Sequence, residues 1–222
     1  MVEEEVPAVG PPGYTLPMSY EIEIKVPVAG FQAVRRAIRS AGGEYLGTFL
    51  QTDRFFDAPD QRLRRGDRGL RIRSVRVLRG AGSSRPAGPL VTYKGPRRAG
   101  RRAKTRLEIQ SPVEDADALA RIFEACGLVA VLTVEKRRAS YRVAPCLVEL
   151  DELPVIGRFV EIEGPDEEAI DDVRRKLRLA GETTAEPYVD LVDARCGGVH
   201  TCREVTFRRC GACPRAGSPP GS

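Results

Sequence analysis

Apolar and polar residues alternate along much of this chain, and the period of the alternation changes from place to place. In residues 18–28 (MSYEIEIKVPV), Ile22, Ile24 and Val26 are interleaved with Glu21, Glu23 and Lys25. Successive side chains of a strand point to opposite faces. This segment therefore has one apolar face and one face carrying two carboxylates and an ammonium. Similar strand-like stretches run over 44–57 (EYLGTFLQTDRFFD), 68–78 (RGLRIRSVRVL), 89–96 (PLVTYKGP) and 103–112 (AKTRLEIQSP). Others cover 131–143 (VLTVEKRRASYRV), 146–153 (CLVELDEL) and 157–164 (GRFVEIEG). Between them the period lengthens to that of a helix. Phe31, Val34, Ile38 and Ala41 form one stripe, stopped by Gly42 and Gly43. Leu119, Ile122, Phe123 and Cys126 form a second, with Ser111 as candidate N-cap and Gly127 as the stop. Ile170, Val173 and Leu177 form a third, and EPYVDLVDAR is a last amphipathic segment ending near Arg195. The run RGAGSSRPAG between two strands reads as a loop.

Three segments, YEIEIKVP, TRLEIQSP and FVEIEGP, each precede a helix that ends in glycine. Their spacing is uneven, which excludes a solenoid and points to a barrel-like α+β fold. Each helix must bury its apolar stripe. If the helices pack outside a curved sheet, the apolar strand faces point outward and the charged faces point in. The inward set is then Glu21, Glu23, Lys25; Arg71, Arg73; Lys94; Arg106, Glu108, Gln110; Lys136, Arg138; Glu149, Asp151; and Glu161, Glu163. Members of each close pair lie two residues apart and so share a face. Alternation on a single strand fits equally well the solvated face of an open antiparallel sheet. The full set favours the inward orientation, because acids gather on some strands and bases on others. Carboxylates are hard oxygen donors suited to Mg²⁺ or Mn²⁺. Arg and Lys suit phosphate oxygens. A cavity holding both would bind a metal–polyphosphate complex, and each sign lowers the cost of desolvating the other.

Composition narrows the chemistry. The chain has 222 residues, 41% hydrophobic and 30% charged, with a net charge of +5. That is enough for a sizeable core and suits an anionic partner without choosing one. The single histidine, His200, lies in a Gly- and Pro-rich tail, so histidine acid–base chemistry, Ser-His-Asp triads and His-rich zinc sites are poor candidates. No apolar run approaches the roughly 20 residues that span a bilayer. The acidic start, MVEEEVPAVGPPG, is unlike a signal peptide. A cytoplasmic location is expected. Cys126 and Cys146 sit in apolar patterns and read as small core residues.

These residues resemble, in order along 19–193, the CYTH superfamily, also called triphosphate tunnel metalloenzymes. The resemblance is carried by Glu21-x-Glu23-x-Lys25, LRIR (Arg71, Arg73), TYKGP (Lys94), EKRR (Lys136, Arg138), LDELPVIGRFVEIE (Asp151, Glu161, Glu163) and PYVDL (Tyr188, Asp190). GGEYLGTFLQTDRFFD, VTYKGP and TVEKRRASYRV are most similar to the class IV adenylate cyclase branch. The resemblance implies a closed eight-stranded antiparallel β-barrel, a triphosphate tunnel with charged interior and helices packed outside. It implies a metal site of Glu21, Glu23, Glu149, Asp151, Glu161 and Glu163 holding Mg²⁺ or Mn²⁺. It also implies that Lys25, Arg71, Arg73, Lys94, Lys136 and Arg138 hold the triphosphate, and that Glu21, Glu23, Lys25 and Lys94 are catalytic. The implied reaction is that of an adenylate cyclase acting on ATP. The alternatives are a triphosphatase of inorganic triphosphate, thiamine triphosphate or nucleoside triphosphates, and a binding module without turnover. The partner is a small-molecule triphosphate rather than a membrane or nucleic acid, and the resemblance is compatible with a homodimer.

The domain organisation expected is a disordered segment over 1–18, the tunnel domain over 19–195 and an unstructured Cys/Gly/Pro-rich tail over 196–222. The Arg-rich run GPRRAGRRAKTR reads as a tunnel lip or a solvated loop. In the tail, Cys210-x-x-Cys213 with Cys196, Cys202 and His200 does not match a paired zinc-ribbon spacing.

Overall fold

The computed structural model describes residues 18–80, 88–98, 104–184, 186–196 and 203–208. The expected disordered N-terminal segment, most of the loop over 79–88 and the Cys202, His200, Cys210 and Cys213 group lie outside the described residues. The elements run β1 (Met18–Pro27), α1 (Gln32–Ser40), β2 (Glu44–Asp57), α2 (Arg62–Arg65), β3 (Gly69–Arg79), β4 (Leu90–Arg98) and β5 (Lys104–Pro112). They continue α3 (Ala116–Ala125), β6 (Val129–Val143), β7 (Cys146–Leu153), β8 (Gly157–Glu163), α4 (Glu167–Lys176), α5 (Tyr188–Cys196) and β9 (Glu204–Val205).

The fold is α+β, with an antiparallel sheet of eight strands curled around a cavity. The strand order is β2-β3-β4-β5-β1-β8-β7-β6-β9. Strand β2 also pairs with β6, from Glu44 opposite Arg142 to Asp57 opposite Val129. Two helices cover the apolar outer face over β1, β7 and β8. Ile24 and Val26 of β1, Val148 and Leu150 of β7 and Val160 and Ile162 of β8 pack on Val34 and Ile38 of α1 and on Ile170 and Val173 of α4. Gly42, at φ +73°, ends α1 in the left-handed region that glycine adopts without steric cost.

Helix α3 stops before Gly127 as expected, but its N-cap and part of its stripe differ from expectation. Ser111 is still in β5, opposite Val91 of β4, and Asp115 is the N-cap, accepting from the Asp117 and Ala118 amides at 2.9 Å each. Ala120 is buried, and Leu119 and Phe123 pack with it against Phe56 and Ile72. Ile122 is 56% exposed and Cys126 is exposed at the C-cap. The apolar stripe is thus narrower than its sequence. Cys146 is fully buried, as its pattern implies.

Helix α2 escaped the sequence reading because four residues carry no periodicity. It is held by Asp57, whose carboxylate accepts from the Ala58, Leu63 and Arg64 amides at 2.7, 2.9 and 3.0 Å. The tail, expected to be unstructured, contributes β9, which pairs parallel with Thr133 and Val134 of β6. Val205 is fully buried, the Phe207 amide donates to Glu135 Oε2 at 2.9 Å, and the Arg137 guanidinium stacks 3.9 Å from the Phe207 ring centroid. Among the described residues no helix is long and apolar enough to cross a membrane.

Candidate active site

The strand registers bring the charges together. On β1 and β8, Lys25 stands opposite Glu161 and Glu23 opposite Glu163. Across β8 and β7, Glu161 stands opposite Glu149, and across β7 and β6, Asp151 stands opposite Arg138. Directly opposed residues of an antiparallel pair share a face, so one interior wall carries this whole set. Lys25 Nζ donates to Glu161 Oε1 at 3.0 Å and also pairs with Glu23. Arg138 Nε donates to Asp151 Oδ1 at 2.7 Å, and its guanidinium also engages Glu149 and Glu161. Lys136 Nζ donates to Asp151 Oδ2 at 3.3 Å.

A second group faces these from β2, β3, β4 and β5. Arg73 forms a forked pair with Asp53, at 2.6 and 2.7 Å, and an Arg71 nitrogen lies 3.4 Å from the same carboxylate. Lys94 Nζ lies 2.7 Å from Glu108 Oε2. Arg106, opposite Glu21 along β5, has its guanidinium committed to the Gly95 carbonyl at 2.6 and 3.0 Å and to the Asp67 carbonyl at 3.1 Å.

The electrostatics follow from burial and neighbours. Burial alone would drive the Lys25 pKa down; the carboxylates of Glu161 and Glu23 reverse that and hold it raised. Burial would raise Glu161, but Lys25, Arg138 and Lys136 hold it well below the usual carboxylate range. Burial would also raise Asp53, and Arg73 and Arg71 hold it low. Lys136 goes the other way: burial, with the Arg138 charge beside it, pushes it down to about 7, only partly offset by Asp151 and Glu161. An anion arriving beside Lys136 favours its charged form.

These groups surround a cavity of about 770 Å³. Glu23, Lys25, Arg71, Arg73, Lys94, Lys136, Arg138, Glu149, Glu161 and Glu163 all line it. Asp151, on the same strand face, is wholly buried behind Arg138 and Lys136 and does not itself reach the cavity. Glu21 lies in β1, and its side chain is outside the described residues. Asp53 was not anticipated; its signal was a carboxylate in step with Gln51 inside an apolar strand.

The cavity wall is not charged throughout. Two residues along from Glu161, Asp151, Lys136 and Asp53 come Phe159, Leu153, Val134 and Phe55, on the same face of each strand. Phe159, Leu153, Val134 and Leu132 form a second core with Val192 and Cys196 of α5 and Val205 of β9, and Phe55 packs against it. Helix α5 thus covers one end of the interior. It is held to α2 by Arg64, whose guanidinium lies 2.5 Å from Asp193 and 3.7 Å from Asp190.

The structure is thus an α+β fold in which a curled antiparallel sheet turns buried cations and carboxylates towards a common cavity. The chain belongs to the CYTH domain family, whose model matches residues 19–188. It is 30% identical over 163 residues to adenylate cyclase CyaB of Aeromonas hydrophila, covering 72% of this chain and 77% of that protein. The structure of the PH1819 protein of Pyrococcus horikoshii OT3 is similar, with a TM-score of 0.65 and 27% identity, over 78% of this chain and 97% of that one. The structure of HpAC1 from Hippeastrum, described as having a dominant triphosphatase activity, shares the fold at a TM-score of 0.58 and 17% identity, over 81% of this chain and 96% of that one. The family match and the likeness to CyaB are consistent with a position near the adenylate cyclase branch of the family.

Proposed function

We propose that this protein is a metal-dependent enzyme of the class IV adenylate cyclase type, taking the triphosphate of ATP into the cavity and forming cyclic AMP and pyrophosphate. The observation that carries this reading is the joint presence of buried cations and in-register carboxylates around one cavity of about 770 Å³. We read the sheet as a closed tunnel, on the strength of the long β2–β6 ladder.

In this reading Lys25, Arg71, Arg73, Lys94, Lys136 and Arg138 bind and orient the phosphates. A triphosphate brings enough negative charge to compete for cations now shared among Glu161, Glu149, Asp151 and Asp53. The donor chemistry fits Mg²⁺ or Mn²⁺: Glu23 opposite Glu163 and Glu149 opposite Glu161 are like-charged pairs on adjacent strands, which a divalent cation relieves. Among the described residues no group of three or more acids converges closely enough to hold a metal, because Lys25 and Arg138 stand between them. Glu23, Glu149, Glu161 and Glu163 would hold the ion once those cations turn to phosphate, joined by Glu21 on the family resemblance; Asp151 serves Arg138 and Lys136 instead. A bound divalent ion supplies Lewis-acid neutralisation of the phosphate oxygens. The protein contributes orientation of the 3′-hydroxyl in line with the α-phosphorus, exclusion of water, and cations facing the departing pyrophosphate.

The apolar part of the wall favours a substrate with an organic group. Phe55, Phe56, Leu70, Val131 and Leu153 line the same cavity as the charges. Inorganic triphosphate would make no use of the faces that these residues turn to the cavity. The second reading is triphosphatase activity, supported by the likeness to HpAC1 and by a charged end that is complete without any organic group. Incubation of the purified protein and Mg²⁺ or Mn²⁺ with ATP, and separately with tripolyphosphate, followed by mass spectrometry, decides between them. Cyclic AMP with pyrophosphate is expected. Orthophosphate alone would establish the triphosphatase, and no product from either substrate would leave a binding module. Glu23→Gln is expected to abolish turnover.

A further inference from the structure

Tyr188, the first residue of α5, takes no part in the charge network described above, yet it stands among its members. Its ring meets Phe159 edge-on at 5.2 Å. Lys25 Nζ lies 5.3 Å and Lys136 Nζ 5.2 Å from the ring centroid. Both are within the distance at which an ammonium is attracted to an aromatic face. Tyr188 also lines the cavity. Its hydroxyl oxygen is buried and has no hydrogen-bond partner among the described residues.

A buried hydroxyl without a partner is costly and uncommon. The interior offers this one several nearby carboxylates, and the folded chain leaves it unused. Its neighbours are two ammoniums that attract anions. Burial, reinforced by the charges of Asp151 and Glu161, pushes its pKa well above the usual tyrosine value, so the group remains a donor across the working pH range.

We propose that Tyr188 is a substrate-contacting residue whose hydroxyl donates a hydrogen bond to a phosphate oxygen of the bound triphosphate, on the same side as Lys25 and Lys136. The folded protein thus keeps one donor in reserve for the ligand, and α5 presents it. This rests on the reading that the cavity takes a triphosphate. It adds a contact from the helix at the end of the interior, beyond the strand-borne cations.

The test is Tyr188→Phe in the full chain, which keeps the ring and removes only the hydroxyl. Calorimetric titration with tripolyphosphate in Mg²⁺ is expected to show affinity weakened about tenfold or more, as for loss of a hydrogen bond to a charged group. The thermal midpoint without ligand should stay level or rise, since an unsatisfied buried group has been removed. Equal affinity in both proteins would overturn the proposal and leave the proposed function standing. A lower midpoint without ligand would also overturn it, by showing that the hydroxyl serves the fold. If the unsubstituted protein fails to bind tripolyphosphate, the reading of the cavity fails and this inference fails with it.

Discussion

The two ends of the same interior strand faces obey different rules. Around Lys25, Arg138, Asp151 and Glu161, burial is tolerated only because every charge has an opposite one beside it. Two residues further along, Phe159, Leu153 and Val134 are buried in the ordinary way, against Val192 of α5. The charged end contributes little net stability, because desolvation offsets much of the Coulomb attraction. The apolar end contributes through area removed from water. The interior is thus divided into a charged half and an apolar half.

Breaking the charged end should have the largest effect. Arg138→Met leaves Asp151, Glu149 and Glu161 buried without their shared cation; urea unfolding should show a loss of about 3–5 kcal/mol, and turnover should vanish. Retained stability would mean that water reaches these carboxylates and that the two ends are less distinct than their burial implies. Leu153→Ala, at the apolar end, should cost about 2–5 kcal/mol in the same experiment, while substrate affinity changes far less than in Arg138→Met.

The pH dependence separates the ends further. The folded pKa of Asp53 is depressed below its unfolded value, so its contribution is fully present above the unfolded carboxylate value of about 3.9 and is lost as pH falls through the lower folded value. The stability gap between the unsubstituted protein and Asp53→Asn should therefore be constant near neutrality and shrink as the solution is acidified below pH about 4. Denaturation at stepped pH measures it; a gap independent of pH would show that Asp53 is not ionised in the fold. The smallest effect should come from the partly exposed tie between α2 and α5. Arg64→Ala should lower stability by under about 1 kcal/mol, with proteolysis near α5 the more sensitive readout.

The elements were largely legible in the sequence, and for a physical reason. Strand alternation and helix stripes record which faces meet apolar surface. The segments 44–57 and 146–153 accordingly match β2 and β7 residue for residue. The segregation of signs pointed to an inward set whose members line the cavity, apart from Asp151, which sits behind it, and Glu21, whose side chain is outside the described residues. Less legible were features set by one contact. Asp115 caps α3 because β5 runs on through Ser111 to Pro112. Asp57 looks like any strand-end acid until α2 folds over it. Strand β9 lies beyond the matched family region and in a segment whose composition suggested no order.

By itself the sequence determined the alternation, and with it the charged face that the family resemblance explains. It did not determine what covers the apolar residues on that face, Phe159 beside Glu161 and Leu153 beside Asp151, because their partners lie far off in the chain. Tertiary structure decided that by laying α5 over the apolar ends. It decided also which carboxylate each cation shares, since those pairings depend on strand register between segments far apart in the chain. It left the hydroxyl of Tyr188 buried, on a ring that Lys25 and Lys136 both approach.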